Sequence, residues 1–469
     1  MSGVAGSGKS AIAHTVASYF EQLKRLGSSY CFDRADQAKR CPENLFSTIA
    51  LDLADLDPQW KRSLSQVVQG KRAIRTSRSP LEQFETLILQ SANALATTGP
   101  IVVVIDGFDE SGDRAARRPL LDIIAKKAFN LPPNFRLIVT ARPEPDILDA
   151  LDNGSKYIFT KHMASINKAS NDRDISTFIE TQLSGIPSLE SEWPNKTWCR
   201  LLLERSGRLF QWAFTACLAI KDGDYGLHPT ERFRRVLSST RGLDGLYSEI
   251  LSQAINSHDP LIMSRFKLIM GRILAAREPL SVSAHAKLYS QDDAAGFLKI
   301  ILRPLGSLLS GCTQESVPLR PLHTSFFDFL KDESRSKLYY VDSSQHNRSL
   351  TLLSLRTMKS GLKFNICNLN TSHLRNVDIP GLATHVEAAI LPHLAYACRF
   401  WADHLSATVY DPEILGELWD FMYNRLLFWL EALSLIKHVS IASRMLSSIL
   451  RWSQVSRHVI YNIADPVHL

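Results

Sequence analysis

The stretch "GVAGSGKS", residues 3–10, decides the expected fold of this chain. It matches the pattern G-x-x-x-x-G-K-[ST], in which the glycines let backbone N–H groups wrap a phosphate. Lys9 would place a cation on the phosphate oxygens, and Ser10 would offer a hydroxyl group to Mg²⁺. A helix starting at Lys9 would add the partial positive charge of its amino terminus. The residues predicted to bind the phosphates are Gly3, Val4, Ala5, Gly6, Ser7, Gly8, Lys9, Ser10 and Ala11.

A second motif, "IVVVIDGFDE" at residues 101–110, combines an apolar run with three acidic residues. The β-branched run predicts a buried parallel strand that ends at Asp106. An acid in this position commonly holds Mg²⁺, so Asp106 and Ser10 are the predicted metal ligands. Asp109 or Glu110 could orient or deprotonate an attacking water. Three acids so close together would repel one another unless a cation lay among them; the plain alternative is an acidic turn.

The third motif is "LIVTARPEPDI", residues 137–147. Its strand would carry Thr140 and Arg142 to the same sheet edge, where they could contact the terminal phosphate or the attacking water. The alternative is a surface arginine followed by a proline. The predicted catalytic residues are therefore Glu110, Asp109 and Arg142.

The first third of the chain alternates helical and extended patterns. Besides the two strands above, "SSYCF" (28–32) and "KYIFTKHM" (156–163) are predicted strands. Helices that alternate with buried strands indicate an α/β doubly wound parallel sheet of the P-loop type. After about residue 170 the patterns are almost wholly helical, except for a predicted short hairpin within residues 307–325.

The phosphate-binding loop would normally follow a strand, but only Met1 and Ser2 precede it. We therefore expect the first strand of the sheet, which would hold Gly3 beside the strand ending in Asp106, to be missing. This predicts a weakened site in a chain that is truncated at its amino terminus or begins at a misplaced start.

Composition and charge limit the other functions. The net charge of +7 is mild for 469 residues, and the basic residues are scattered, so no nucleic-acid partner is expected. The apolar stretch at residues 426–436 is shorter than the roughly 18 residues that span a bilayer and is interrupted by Glu431, so no membrane partner is expected. Seven cysteines without a C-x-x-C pair are typical of reduced thiols and predict a cytoplasmic location.

Taken together, the three motifs resemble the NACHT family, the branch of signal-transduction (STAND) ATPases that includes NOD-like receptors and many fungal incompatibility proteins. The stretch "SGRLFQWAFTACLAI", residues 206–220, is similar to the fungal members. The resemblance implies binding of ATP or ADP with Mg²⁺, with GTP as the alternative nucleotide. It also implies protein partners: self-association, or effector and sensor domains that this chain does not show.

The resemblance also implies four domains: a nucleotide-binding domain (1–165), a helical domain (166–245), a winged-helix-like domain (246–340) and a helical carboxyl-terminal domain (341–469). In relatives, a histidine of the winged helix touches the bound diphosphate, and His323 is the candidate here. The alternative for His323 is a core histidine whose hydrogen bonds are satisfied within the protein.

Two functions remain open at this stage. The first is a nucleotide-dependent signalling switch of the NOD-like-receptor type that slowly hydrolyses the triphosphate. The second is a non-enzymatic helical interaction scaffold with a degenerate nucleotide site, which the missing strand favours. A small-molecule kinase or metabolic GTPase is a weaker third reading, because no N-K-x-D guanine motif appears at a suitable place.

Overall fold

The computed structural model describes residues 1–33, 41–92, 94–151, 157–184, 186, 196–222, 227–240, 242–290, 293–371 and 373–463. The chain divides into two compact units. The first contains Met1–Lys221, His228–Leu246 and His323–Ser325, and the second contains Asp222–Leu227, Tyr247–Leu322 and Phe326–Leu469.

A three-stranded parallel sheet forms the centre of the first unit. Its strands are β1 (Leu26–Cys31), β2 (Ile101–Asp106) and β3 (Phe135–Val139), arranged in the order β1-β2-β3. All six residues of β2 are buried, as expected for the middle strand of a sheet covered on both faces. The three strands that the motifs and "SSYCF" predict are therefore confirmed.

One edge of the sheet is extended by single residues rather than by strands. Ser2 forms parallel bridges to Ala141, just beyond β3, and to His162. The place of the first strand is thus held by one residue. The sequence predicted that the first strand would lie beside β2, the strand that ends in Asp106. This prediction was wrong, because Ser2 pairs with Ala141 just beyond β3 and not with β2. Of the predicted strand at residues 156–163, position 156 lies outside the described residues and the rest contributes only the bridge at His162.

Helices cover both faces of the sheet. The alternating side chains of β2 separate into two buried clusters, one shared with α1 and the other with α2. The helices of the first unit are α1 (Lys9–Gln22), α2 (Leu45–Leu56), α3 (Pro58–Gly70), α4 (Pro80–Gln83), α5 (Gln90–Ala92), α6 (Arg114–Lys126), α7 (Pro145–Leu151), α8 (Lys168–Leu183), α9 (Lys196–Ser206), α10 (Phe210–Asp222) and α11 (Pro229–Ser238).

The cluster on the α1 face is small. It contains Ala13 and Ala17 of α1 together with Val102 and Val104 of β2. Alanine side chains let the helix approach the sheet closely, and this contact fixes the amino terminus of α1 at the carboxyl end of the strands. The loop that precedes α1 is placed there as a result.

The second unit is helical, as the sequence patterns predict. Its two short strands, β4 (Leu309–Ser310) and β5 (Arg320–Pro321), pair antiparallel, so the predicted hairpin is confirmed. The helices are α12 (Leu243–Ala254, in this unit from Tyr247), α13 (Pro260–Ala275), α14 (Val282–Leu288), α15 (Ala294–Leu302), α16 (Thr324–Lys331, in this unit from Phe326), α17 (Glu333–Ser336), α18 (Asn347–Gly361), α19 (Leu382–Ala389), α20 (Pro392–Leu405), α21 (Pro412–Asn424), α22 (Leu426–Leu435) and α23 (Ala442–Ile463).

Candidate functional site

The loop of residues 3–10 has the backbone that its glycines suggest. Gly6 and Gly8 adopt φ angles of +76° and +92°, a region that residues with a Cβ rarely enter. Gly8 is also the N-cap of α1, and none of the described side chains caps this helix end. The first amides of α1, from Lys9 to Ala11, therefore have no intrahelical acceptor and can donate to an anion.

Hydrogen bonds to the sheet edge hold the start of the loop. The N–H group of Gly3 donates to the carbonyl of Ala141 (3.2 Å), and the N–H group of Ser7 donates to the carbonyl of Val4 (3.3 Å). Among the residues that the structure describes, the buried Ser7 Oγ has no hydrogen-bond partner. A buried polar atom without a partner is costly, so this loop suits a polar ligand.

Lys9 folds back over the loop. Its ammonium group donates to the carbonyl oxygens of Gly3 (2.7 Å) and Val4 (3.0 Å), and only 9% of the residue is exposed. These carbonyl oxygens accept the hydrogen bonds of the ammonium group that phosphate oxygens would otherwise accept. The neighbouring Ser10 is exposed in the first turn of α1.

The structure brings the other predicted charged residues to Lys9. Burial lowers the pKa of Lys9, the carboxylates of Asp109, Asp106 and Glu110 act to raise it, and the guanidinium of Arg142 acts to lower it. All five groups therefore share one electrostatic neighbourhood at the carboxyl end of the strands. Sequence motifs 90 to 140 residues apart converge as predicted.

Arg142 is paired with the acidic turn. Its Nε atom lies 3.1 Å from Asp109 Oδ2, and its backbone N–H group donates to Asp109 Oδ1 (2.9 Å). Its Nη2 atom lies 3.8 Å from Glu110 Oε1. The cation that the three acids require is thus supplied in part by the chain itself. Arg142 also donates to the hydroxyl of Thr324 (3.1 Å), a residue of the first unit.

Asp106 lies at the end of β2 and is 9% exposed. The hydroxyl of Thr140 donates to its Oδ1 atom, and the thiol of Cys31 lies 3.7 Å from its Oδ2 atom. Burial and the charge of Asp106 raise the pKa of Cys31 to about 12, so the thiol stays protonated at neutral pH. The metal-binding acid predicted from the sequence is therefore contacted by two neutral groups, a hydroxyl and a thiol.

His323 precedes α16 and caps it. Its Nδ1 atom accepts from the N–H group of Ser325 (3.2 Å) and lies 2.6 Å from the hydroxyl of the same residue. Because Nδ1 acts as an acceptor, the proton of the neutral ring resides on Nε2. His323 and its neighbour Thr324 both belong to the first unit, which also contains the acidic turn.

Two residues of the site carry no role in the sequence predictions. The backbone N–H group of Gln211 donates to the carbonyl of Gly6 (3.2 Å), and a Cβ at Gly6 would lie 2.7 Å from Gln211 Cβ. A Cβ at Gly8 would lie 3.5 Å from Phe210. The start of α10 thus packs on the phosphate-binding loop. The sequence signal in this region was the similarity of residues 206–220 to the fungal members, which does not indicate what the stretch packs against.

Arg117 of α6 joins the acidic turn to the segment after β3. Its buried guanidinium donates to the carbonyl of Asp109 (2.9 Å), to Glu144 (2.6 Å), and to both carboxylate oxygens of Asp146 (2.9 and 3.1 Å). The sequence shows only a helix rich in arginine, so this contact could not be predicted.

We expect Arg117→Met to destabilise the first unit by about 2–3 kcal/mol, because it leaves two carboxylates facing each other without their cation. The melting temperature should fall by about 5–10 °C in scanning calorimetry. Arg114→Met is the matched control, since Arg114 is 70% exposed and lies 3.9 Å from Asp146. Equal melting temperatures for the two variants would show that the Arg117 contacts contribute little.

None of the helices in the described part of the chain combines the length and apolarity needed to cross a membrane.

Known proteins match this chain in the region of the site. A family model described as Nephrocystin 3, N-terminal, matches residues 1–142. The vegetative incompatibility protein HET-E-1 of Podospora anserina is 25% identical over 367 residues, which cover 71% of this chain and 25% of that protein. The chain thus spans about a quarter of the length of that relative. Together the two matches confirm the resemblance to NACHT proteins of the NOD-like-receptor type.

Proposed function

We propose that the chain is a nucleotide-dependent signalling switch that binds ATP or ADP and slowly hydrolyses the triphosphate. The observation that carries the proposal is the loop of residues 3–10, in which Lys9 lies over uncapped helix amides and beside the acids that follow β2. This arrangement suits an anion that also carries a divalent cation. GTP is the alternative nucleotide, since the loop contacts phosphates and not the base.

Ser10 and Asp106 would hold the Mg²⁺ ion that accompanies the nucleotide. Hydroxyl and carboxylate oxygens are ligands that Mg²⁺ prefers, so this donor set fits the ion. The bound ion would neutralise charge on the phosphates. Lys9 and the amides from Gly8 to Ala11 bind and orient the phosphate oxygens, and the packing of α10 on the loop excludes water from one side of it.

Glu110 is the proposed general base, and Asp109 and Arg142 position it. Arg142 lies 3.8 Å from the carboxylate of Glu110 and 3.1 Å from that of Asp109, so the guanidinium is held more closely by Asp109. An arginine between two acids and a bound phosphate can also stabilise negative charge on the terminal phosphate.

We further propose that residues 246–340 form a winged-helix-like domain that responds to the nucleotide through His323. The helices α13, α14 and α15 followed by an antiparallel strand pair, with a bridge from Ser281 to Pro318, support this assignment. We propose the other three domains with the bounds predicted from the sequence: 1–165, 166–245 and 341–469.

We expect His323→Ala and His323→Asn each to speed the release of ADP by about tenfold, because alanine has no donor and the amide of the shorter asparagine does not reach the position of His323 Nε2. Asparagine still caps a helix, so His323→Asn preserves the bond from Ser325 that the structure shows. Release is followed by stopped-flow fluorescence of a labelled ADP, with the exposed His258→Ala as the control. Faster release in the alanine variant alone would identify His323 as a helix cap and no more.

The signalling role rests on the relative. Its name describes vegetative incompatibility. We propose that this chain acts through protein partners, either by self-association or through effector and sensor domains. The direct test of the proposed function is equilibrium binding of fluorescent ATP, ADP and GTP to the purified chain, with and without Mg²⁺. Binding of none of the three would leave the alternative of a helical scaffold with a degenerate site.

A further inference from the structure

Two neighbouring strands hold the carboxylate of Asp106. On one side, Thr140 follows β3 and its hydroxyl donates to Asp106 Oδ1. On the other side, Cys31 is the register partner of Asp106 at the end of β1, and its thiol lies 3.7 Å from Oδ2. Both contacts follow from the parallel register, which aligns the three strand ends.

The hydroxyl of Thr140 is fully engaged. It accepts from the N–H group of Gly107 (3.1 Å) and donates to Asp106, and the residue is 0% exposed. A hydroxyl group has one proton to donate, and this one is directed at the carboxylate. Thr140 is therefore unsuited to contact the terminal phosphate, which was the role expected from its position after a buried strand.

The two oxygens of Asp106 are held unequally. Oδ1 receives a hydroxyl donor that is itself fixed by the backbone. Among the described residues, the hydrogen-bond contact of Oδ2 is the thiol of Cys31, a weak donor whose single proton can also go to the carbonyl of Phe32 (3.3 Å). A cation can displace the weaker partner at lower cost. The orientation of the carboxylate is thus set before any ligand binds.

We propose that Thr140 is a positioning residue for metal binding: it fixes Oδ1 of Asp106 and so leaves Oδ2, which contacts the thiol of Cys31, as the oxygen that would hold the cation. The inference rests on the proposed function, because it requires Asp106 to bind the Mg²⁺ of a bound nucleotide. It goes beyond that function by assigning the two oxygens of the carboxylate to different partners.

The test measures the gain in affinity for fluorescent ADP when EDTA is replaced by Mg²⁺. Thr140→Val keeps the side-chain shape and removes the donor, so the gain should fall by about tenfold while binding in EDTA stays the same. Thr140→Ser restores the hydroxyl and should restore the gain. Thr140→Ala repeats the test if valine at this buried position prevents folding.

Cys31→Ala is the matched variant on the other oxygen. It removes the weak partner of Oδ2, so the gain from Mg²⁺ should be unchanged or larger. A smaller gain in Cys31→Ala, or an undiminished gain in both Thr140→Val and Thr140→Ala, would overturn the inference while leaving nucleotide binding intact. A wild-type chain that binds ADP without any gain from Mg²⁺ would instead overturn the proposed metal role of Asp106, and the inference with it.

Discussion

Replacing Lys9 with methionine is expected to lower the affinity for Mg²⁺–ATP by about 100-fold, which corresponds to about 2.8 kcal/mol. The physical reason is the loss of the nearly buried ammonium group that lies over the loop. The neighbouring cation, the guanidinium of Arg142, is paired with Asp109 and so does not replace it. Methionine keeps the apolar stem of the lysine, so the packing of α1 is preserved. The measurement is a titration of the purified chain with fluorescent ATP.

Lys126→Met is the control for this experiment. Lys126 is an exposed lysine on α6, and its ion pair with Asp122 lies on the surface. Its removal should leave the affinity for ATP unchanged. If the Lys9 and Lys126 variants bind ATP equally well, the nucleotide-switch proposal fails and the scaffold alternative is favoured. The melting temperatures of both variants, measured without nucleotide, separate loss of binding from loss of folding.

Replacing Glu110 with glutamine is expected to reduce single-turnover ATP hydrolysis by about 100-fold or more while changing ATP affinity little. Glutamine retains the shape and one acceptor oxygen, so the weak contact with Arg142 persists. It cannot take a proton from water, so the bound triphosphate should persist on the protein. Quenched-flow assays with labelled ATP, combined with equilibrium titration, separate the two effects.

Glu85→Gln is the matched control, because Glu85 is paired with Lys127 away from the site and should leave both quantities unchanged. Hydrolysis at the wild-type rate in Glu110→Gln, or no hydrolysis in the wild-type chain, would remove Glu110 from the role of base.

Asp109→Asn should behave differently from Glu110→Gln. Asp109 binds Arg142 through two atoms, so its loss is expected to disturb the position of that arginine rather than the base.

Local patterns were sufficient to predict the elements that carry the site. The β-branched run before Asp106 indicates a buried strand, and the loop before Lys9 indicates a helix start. Because parallel strands present their carboxyl ends at one edge, the motifs also predict which side chains converge. The structure brings Lys9, Asp106, Asp109, Glu110 and Arg142 together there.

Pairing within the site could not be predicted in the same way. The sequence suggests that the acids need a cation, but it does not reveal that Arg142 supplies one. Nor does it reveal that Arg117 donates a hydrogen bond to the backbone carbonyl of Asp109. The engagement of Thr140 with Asp106 was likewise missed, since a polar residue after a strand can point to solvent or to its neighbour. Each contact depends on side-chain directions within a few ångströms, which residue spacing does not specify.

The sequence by itself determined the kinds of element, the phosphate-binding loop and the acids that stand at the end of β2, because periodicity and glycine conformation act over a few residues. Only the tertiary structure decided that Ser2 lies beside β3, that Gln211 packs on Gly6 and that Thr324 contacts Arg142. These contacts join residues far apart in the chain. They arise because burying the two faces of the sheet selects one arrangement of helices and strands, and no local pattern encodes that selection.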